Sequence, residues 1–302
     1  MSSSNHTSTS GDVARKDNYH GTSSIYISQA MRDTTRGEKL DIVEFYRDKT
    51  LLCTGCTGFL GKVLIEKLLR SLPNIKRAYV LVRPKKGGTV KDRMVDEILR
   101  SPIMDLLIQQ YGGNRDAFEQ FALSKLVAVP GDVATEDFIH LPDEEKSVLR
   151  NEIQVVIHSA ATVGFTERLD DSIRLNVYGS LRAMEFARSC HNICVFSQIS
   201  TAYVNSNTRS GTRIMEKQYP FKLPGNEDVD DFCKRVMQMN PTEIEKTTQK
   251  YLDHFKYPNT YTFTKRLAET LLAQRRGDLP VAVIRPTIVG ASMKEPFPGW
   301  VD

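Results

Sequence analysis

The sequence has little of what would place it outside the cell or in a bilayer. Its five cysteines (Cys53, Cys56, Cys190, Cys194 and Cys233) are odd in number and scattered through 302 residues, so they are not the framework of a disulfide-stapled domain. None of the six histidines stands at ligand spacing from a cysteine pair, and no second CxxC follows Cys53 and Cys56, so the common zinc patterns are missing. No apolar run reaches the ~20 residues that a membrane helix needs. The opening MSSSNHTSTSGDVARKDNYHGTSS lacks the apolar core of a signal peptide, so a reducing compartment is expected and the sequon Asn5-His6-Thr7 is read as chance. Charge is also thin. A net +4 over this length is no nucleic-acid footprint, although a local cluster of Lys and Arg could still meet a phosphate.

Residues 1–40 are rich in Ser, Thr and Asn and poor in large apolar side chains, which predicts a disordered tail. Residues 41–302 read as one domain without internal repeats. In it, short β-branched runs (50–54, 77–83, 125–133, 155–161, 193–201 and 281–286) alternate with helical patterns at 59–72, 89–121, 172–190 and 259–277. Near-continuously apolar strands separated by helices predict an α/β fold, a doubly wound parallel sheet of the Rossmann type. The stretch 202–260 is longer than a connection needs. It is expected to be an insertion forming a lid or substrate wall, or else a plain surface decoration. Within it Asn240, Pro241 and Glu243 spell a capped helix start.

The stretch LLCTGCTGFLGKVL (51–64) poses a choice between thiol chemistry and phosphate binding. Cys53 falls inside the first strand rather than at a helix N-terminus, where a reactive thiolate is stabilised. Gly61-Lys62 is followed by Val63, so the P-loop pattern fails. A glycine-rich turn between strand and helix remains, with Thr54, Gly55, Thr57, Gly58, Phe59, Leu60 and Gly61 as candidate nucleotide contacts. Gly55 permits the tight turn, Gly58 lets a pyrophosphate approach the backbone, and Gly61 lets the helix pack on the strand. The second strand ends in Arg83, with Lys85 and Lys86 close by, where an NAD site usually carries an acid. This predicts NADPH, its 2′-phosphate met by Arg83 and Lys86. Asp132 and Val133, after the third strand, are expected at the adenine end.

Tyr261 and Lys265, four apart at the start of a helix, share a face, and an ammonium beside a phenol would lower its pKa for proton transfer. Thr201 or Ser200, at the end of the preceding strand, would hydrogen-bond the reacting carbonyl; Thr201 is the preferred candidate. Ser159, Ala160 and Ala161 are expected along the ribose, and Asn176 is a candidate for ordering the lysine through water.

TGxxGFLG, HSAA, STAYVN, YxxxK and RPTIV, in this order, resemble the extended short-chain dehydrogenase/reductases. More narrowly, FYRDKTLLCTGCTGFLGKVLIEKLLRSLPNIKRAYVLVRPKKG and RPTIVGASMKEPFPGWVD resemble the alcohol-forming fatty acyl-CoA reductases, the male-sterility family, from about residue 42 onward. That family usually has Val at the place of Cys53 and Ala at that of Cys56. The resemblance implies reduction of a long-chain acyl-CoA by NADPH, through an aldehyde, to a fatty alcohol. Tyr261 and Thr201 would serve the oxyanion, Lys265 the nicotinamide ribose, and Arg285, Pro286, Thr287 and Ile288 would lie beside the nicotinamide. It also implies a further substrate region, a membrane-associated C-terminal part and an endoplasmic-reticulum or peroxisomal location. The end at Asp302 makes a fragment or short isoform with an incomplete substrate region the expectation. The alternatives are a dehydrogenase or epimerase of the same fold acting on another substrate, and a non-catalytic NADPH-binding module. Oligomeric state is left open.

Overall fold

A computed structural model describes residues 41–302, and the expected tail at 1–40 lies outside the described residues. Six strands form one sheet: β1 (Thr50–Thr54), β2 (Arg77–Val82), β3 (Leu126–Pro130), β4 (Val155–His158), β5 (Val195–Ile199) and β6 (Val281–Ile284). Every pairing is parallel, in the order β3-β2-β1-β4-β5-β6. This is the doubly wound arrangement expected, with its order reversing between β1 and β4, where such sheets open a crevice at their carboxyl ends.

Alternation along the buried strands builds two cores. Leu51, Cys53, Val80, Val155 and Ile157 pack under helix α1 (Phe59–Ser71), while Leu52, Val156 and Phe196 face the opposite helical layer. That layer contains α2 (Gly179–Ser189) and α3, α4 and α5 (Val229–Val236, Pro241–Phe255 and Thr260–Arg275). Helix α4 starts as its sequence dictates: Asn240 Oδ1 accepts from Glu243 N and Glu243 Oε2 accepts from Asn240 N, both at 3.0 Å, with Pro241 in the first turn.

The helix expected over 89–121 is broken into pieces. Val90–Met94 passes into a π-helical turn at Val95–Leu99. A new short turn then starts at Pro102, and Gly112 and Gly113, both at positive φ, separate Asp105–Gln110 from Arg115–Lys125. Proline cannot continue a helix and the glycine pair ends one. Leu169–Ser189 is a continuous helical run, again with a π-helical stretch at Ile173–Tyr178.

The helical part of 202–260 packs into the core of the domain. Phe232 and Val236 of α3 and Ile244 and Tyr251 of α4 are buried, and Phe232, Tyr251 and Phe255 form an aromatic cluster around Phe263 of α5. Ring pairs at these 6.0–6.4 Å separations pack as a core does. The insertion therefore covers the outer face of the Tyr261–Lys265 helix. Among the described residues, no helix is long and apolar enough to cross a membrane.

Candidate nucleotide and catalytic site

At the end of β1 the chain turns through Gly55 (φ +72°) into α1, whose N-cap is Gly58. The three glycines differ in what surrounds them. A Cβ on Gly55 would stand 2.6 Å from Ala160 N, and one on Gly61 would stand 2.1 Å from the Gly55 carbonyl oxygen. Both are therefore demanded by the protein's own backbone. A Cβ on Gly58 would meet only Gly55 O, at an ordinary 3.5 Å. Gly58 is exposed; its own amide donates to Gly55 O at 3.2 Å, so the amides that an anion could meet here are those of the first turn of α1 that follows it. A cradle that a Cβ would fill, at the switch point and on a helix N-terminus, fits a pyrophosphate.

Cys53 and Cys56 are fully buried, and the hydrogen bond between them, with burial, pushes the Cys56 thiol well up. Cys56 is therefore no poised thiolate. The Thr54 side chain is a correction to the expected nucleotide contacts. It is fully buried, its Oγ1 accepting from Ala160 N at 3.2 Å and lying 2.9 Å from His158 Nδ1. Phe59 is similarly turned away, packed on Trp300 with ring centroids 5.2 Å apart. Thr57 and Leu60 are half-buried at the turn.

At the ends of β2 and β3 a cavity of about 590 Å³ is lined by Arg83, Pro84, Lys85, Arg93, Asp132, Thr135 and His140. The Glu97 carboxylate, held down at about 2 by Arg93 and then Lys85, takes both of those cations. Arg83 and Lys86 are exposed and have no ion pair among the described residues. Arg93 also donates to the Arg83 carbonyl at 2.6 Å, so it braces the residue that sequence reading singled out. Sequence reading missed Arg93. The available signal was the capping box of Thr89 and Asp92, which starts a helix directly after the basic loop and carries Arg93 on its first turn. Asp132 Oδ1 accepts from Ala134 N at 2.9 Å, and Val133 is buried against Gly179.

Helix α5 begins at Asn259, whose Oδ1 accepts from Thr262 N at 2.9 Å, and it sets Tyr261 and Lys265 beside the end of β5. Lys265 is fully buried, and its Nζ donates to the Ile199 carbonyl at 2.9 Å. Burial lowers its ammonium to about 8, against the opposing pull of Glu269. The expected action of that ammonium on the phenol is corrected. Burial raises the Tyr261 pKa, and only a hydrogen bond with the Thr201 side chain works against it. Thr201 also accepts from Tyr203 N at 3.2 Å, whereas Ser200 is buried with its hydroxyl unpartnered.

Asn176 is held by protein partners. Its Oδ1 accepts from Thr162 N (2.9 Å), and its Nδ2 donates to Thr162 O and Thr264 Oγ1 (both 3.1 Å). These direct bonds pin the half-buried loop of Ser159, Ala160 and Ala161 to α5. Arg285 likewise turns from the crevice to a buried pair with Glu269 (3.0 and 2.6 Å). Pro286 O accepts from Ala202 N at 2.9 Å, which brings Pro286 next to Thr201, and Thr287 and Ile288 follow it exposed. Phe165 was not anticipated. Its ring is 67% exposed and lies 6.5 Å from that of Tyr261.

A parallel sheet with a glycine turn at its switch point and a Tyr–Lys helix beside the next strand ends defines a nicotinamide-dinucleotide-binding domain of the extended short-chain reductase type. The chain belongs to the male sterility protein family, an NAD-binding domain family whose model matches residues 53–302. It is 38% identical over 278 residues to an alcohol-forming fatty acyl-CoA reductase of Simmondsia chinensis, covering 86% of this chain and 55% of that protein. It is 40% identical to fatty acyl-CoA reductase 1 of Mus musculus, covering 87% of this chain and 47% of that protein. The chain thus spans about half the length of these curated relatives. Among solved structures, the terminal R domain from the myxalamid PKS-NRPS biosynthetic pathway superposes with a TM-score of 0.53 at 25% identity, covering 81% of this chain and 50% of that one.

Proposed function

We propose that this chain carries the nucleotide-binding and proton-donating part of an NADPH-dependent, alcohol-forming fatty acyl-CoA reductase. The observation that carries the reading is the meeting of Tyr261, Thr201 and Lys265 at the same sheet end as the Gly55–Gly61 turn. The names of the relatives supply the substrate class, a fatty acyl-CoA. Arg83, which lines the cavity at β2, and the exposed Lys86, neither ion-paired among the described residues, favour NADPH over NADH.

Bound along the Gly55–Gly61 turn, NADPH would supply the hydride for the thioester carbonyl carbon and, in a second round, for the aldehyde carbon. As the carbonyl oxygen gains charge, Tyr261 donates its phenolic proton and Thr201 holds the phenol in line. Burial suits this step, because it keeps the phenol protonated at neutral pH until an alkoxide stronger than itself forms. The tetrahedral product of the first addition then loses the CoA thiol to give aldehyde. Lys265, fixed by Ile199 O, would hold the ribose hydroxyls and supply the positive charge of the site. The exposed faces of Phe165 and Val163 offer an apolar wall for the acyl chain next to Tyr261. By the same family resemblance the protein works at an endoplasmic-reticulum or peroxisomal membrane surface.

The test is Tyr261→Phe in a chain of the relatives' full length, followed by NADPH absorbance with palmitoyl-CoA. Turnover is expected to vanish with NADPH affinity within about twofold of the parent, since a hydroxyl that acts on the substrate carries little of the nucleotide's binding energy. Palmitoyl-CoA reduction at an unchanged rate would remove Tyr261 from the chemistry.

A further inference from the structure

Three side chains at the carboxyl ends of β4 and β5 carry polar atoms that this chemistry does not use. His158, Gln198 and Ser200 are each no more than 3% exposed, and His158 Nε2, Gln198 Oε1 and Ser200 Oγ have no hydrogen-bond partner among the described residues. The register sets His158 opposite Gln198, and strand alternation puts Ser200 on the same side of the sheet. The His158 ring lies on Phe196 (centroids 6.3 Å apart, 22° between planes), within the layer covered by α5. Its Nδ1 is 2.9 Å from Thr54 Oγ1, the hydroxyl that accepts from Ala160 N. Lys265 reaches the same place from α5, its Nζ bonded to the carbonyl of Ile199, the residue between Gln198 and Ser200.

Buried polar atoms without partners carry a desolvation cost, so three of them beside one ammonium call for a reason other than packing. The charged groups facing the cluster are Lys265 and, one turn further along α5, Glu269, which is paired with Arg285. Burial and then the Lys265 charge hold the imidazole neutral, its pKa down at about 3.

We propose that His158 is a positioning residue joining the nucleotide turn to the lysine: Nδ1 fixes Thr54 where the turn begins, and the Nε2 edge, with Gln198 and Ser200, forms the polar lining against which the Lys265 ammonium sits. This rests on the reading of Lys265 as the charge of the reductase site. The two ends of the ring have separate tasks, and two substitutions separate them. Asparagine places a polar atom near the position of Nδ1, glutamine near that of Nε2. In the full-length chain, His158→Asn should keep the NADPH Kd within about twofold and displace the alkaline limb of palmitoyl-CoA reduction by about one pH unit, a tenfold change in proton concentration. His158→Gln should leave the limb in place and weaken NADPH binding about tenfold. Both variants behaving as the parent, or the pattern reversed, would overturn the proposal.

A second measurement needs no turnover. In 15N-histidine spectra, His158 should stay neutral in one tautomer at pH 5.5, and Thr54→Val should abolish that single tautomer. A His158 ring that titrates near the ordinary 6.5 overturns the proposal whatever the enzyme does. If the spectra behave as expected and NADPH binding follows the Asn/Gln pattern while no acyl-CoA is reduced, the positioning role stands and the reductase reading falls.

Discussion

Gly58→Ala and Gly61→Ala, one turn apart, should separate nucleotide binding from folding. At Gly58 (φ −90°, ψ 170°) alanine needs no backbone change, and its Cβ meets nothing nearer than 3.5 Å. Alanine is a poorer N-cap than glycine, but it narrows the unfolded ensemble, an effect of about 0.4–1 kcal/mol in the opposite direction. The two nearly cancel, so stability without nucleotide should change by less than about 1 kcal/mol. The same methyl stands where a pyrophosphate must come to reach the amides of α1. Losing one charge-assisted hydrogen bond costs ~1.5–3 kcal/mol, or roughly 10–100-fold in Kd. Gly61→Ala puts its Cβ 2.1 Å from Gly55 O and 2.5 Å from the Cys56 Cα, both backbone, so α1 must lift off the turn. Overpacking of that kind costs about 3 kcal/mol, visible directly in urea melts without ligand. Urea titration and NADPH fluorescence on both variants decide the matter. A Gly58→Ala variant that binds NADPH like the parent would refute the phosphate role of the turn, and an unperturbed Gly61→Ala variant would refute the packing account.

Arg83→Asp should shift preference from NADPH toward NADH by roughly 10–100-fold, the loss of one charge-assisted phosphate contact, read as the ratio of the two Kd values. Unaltered selectivity would place the 2′-phosphate elsewhere. Lys265 titrates at about 8 in the fold against 10.5 ordinarily, so between these values the unfolded chain holds more protons than the native one. Its contribution to stability therefore rises with pH through that window, while turnover that needs the ammonium falls above about 8; Lys265→Met should flatten both profiles. Glu269→Ala leaves Arg285 without its bidentate carboxylate in a mostly buried place and should cost about 3 kcal/mol in thermal or urea unfolding, at the lower end for a broken buried pair because Arg285 keeps some solvent contact.

The sequence was most legible where the physics is local. β1 and α1, the Asn240 cap and the Tyr261–Lys265 spacing each depend on neighbours a few residues away, and the parallel sheet follows from strands that are apolar on both faces. What stayed hidden depends on contacts across the chain. The bonds of Thr54 are to His158 and Ala160, over a hundred positions away. Asn176 looked like a polar residue awaiting a ligand because its partners, Thr162 and Thr264, come from two other segments. Arg285 looked like a cofactor residue because nothing near it in sequence announces Glu269. The interruption at Ile173–Tyr178 is a matter of helical hydrogen-bond register, which apolar spacing does not report.

The insertion explains more of the chemistry than its distance from the crevice suggests. In α5, Thr262, Thr264, Lys265, Arg266, Glu269 and Thr270 are all buried beside Phe263, Leu267 and Leu271, so polar residues point in every direction. Such a helix cannot be buried on both sides by the sheet alone. On its outer side lie α3 and α4, with Phe232, Tyr251 and Phe255 around Phe263, while Gln218 donates to Glu269 O at 3.2 Å and Arg266 donates to Tyr219 O. Removing water from both sides of α5 is what lowers Lys265, since desolvation is the leading cause of its shift. By packing on the outer side of α5, the insertion contributes to the low dielectric around the lysine. Phe232→Ala, in the aromatic cluster on the outer side of α5, should let water reach that helix and move the alkaline limb of turnover upward toward the ordinary lysine value. A limb that stays near 8 while the variant remains folded would show that the sheet side alone sets the charge.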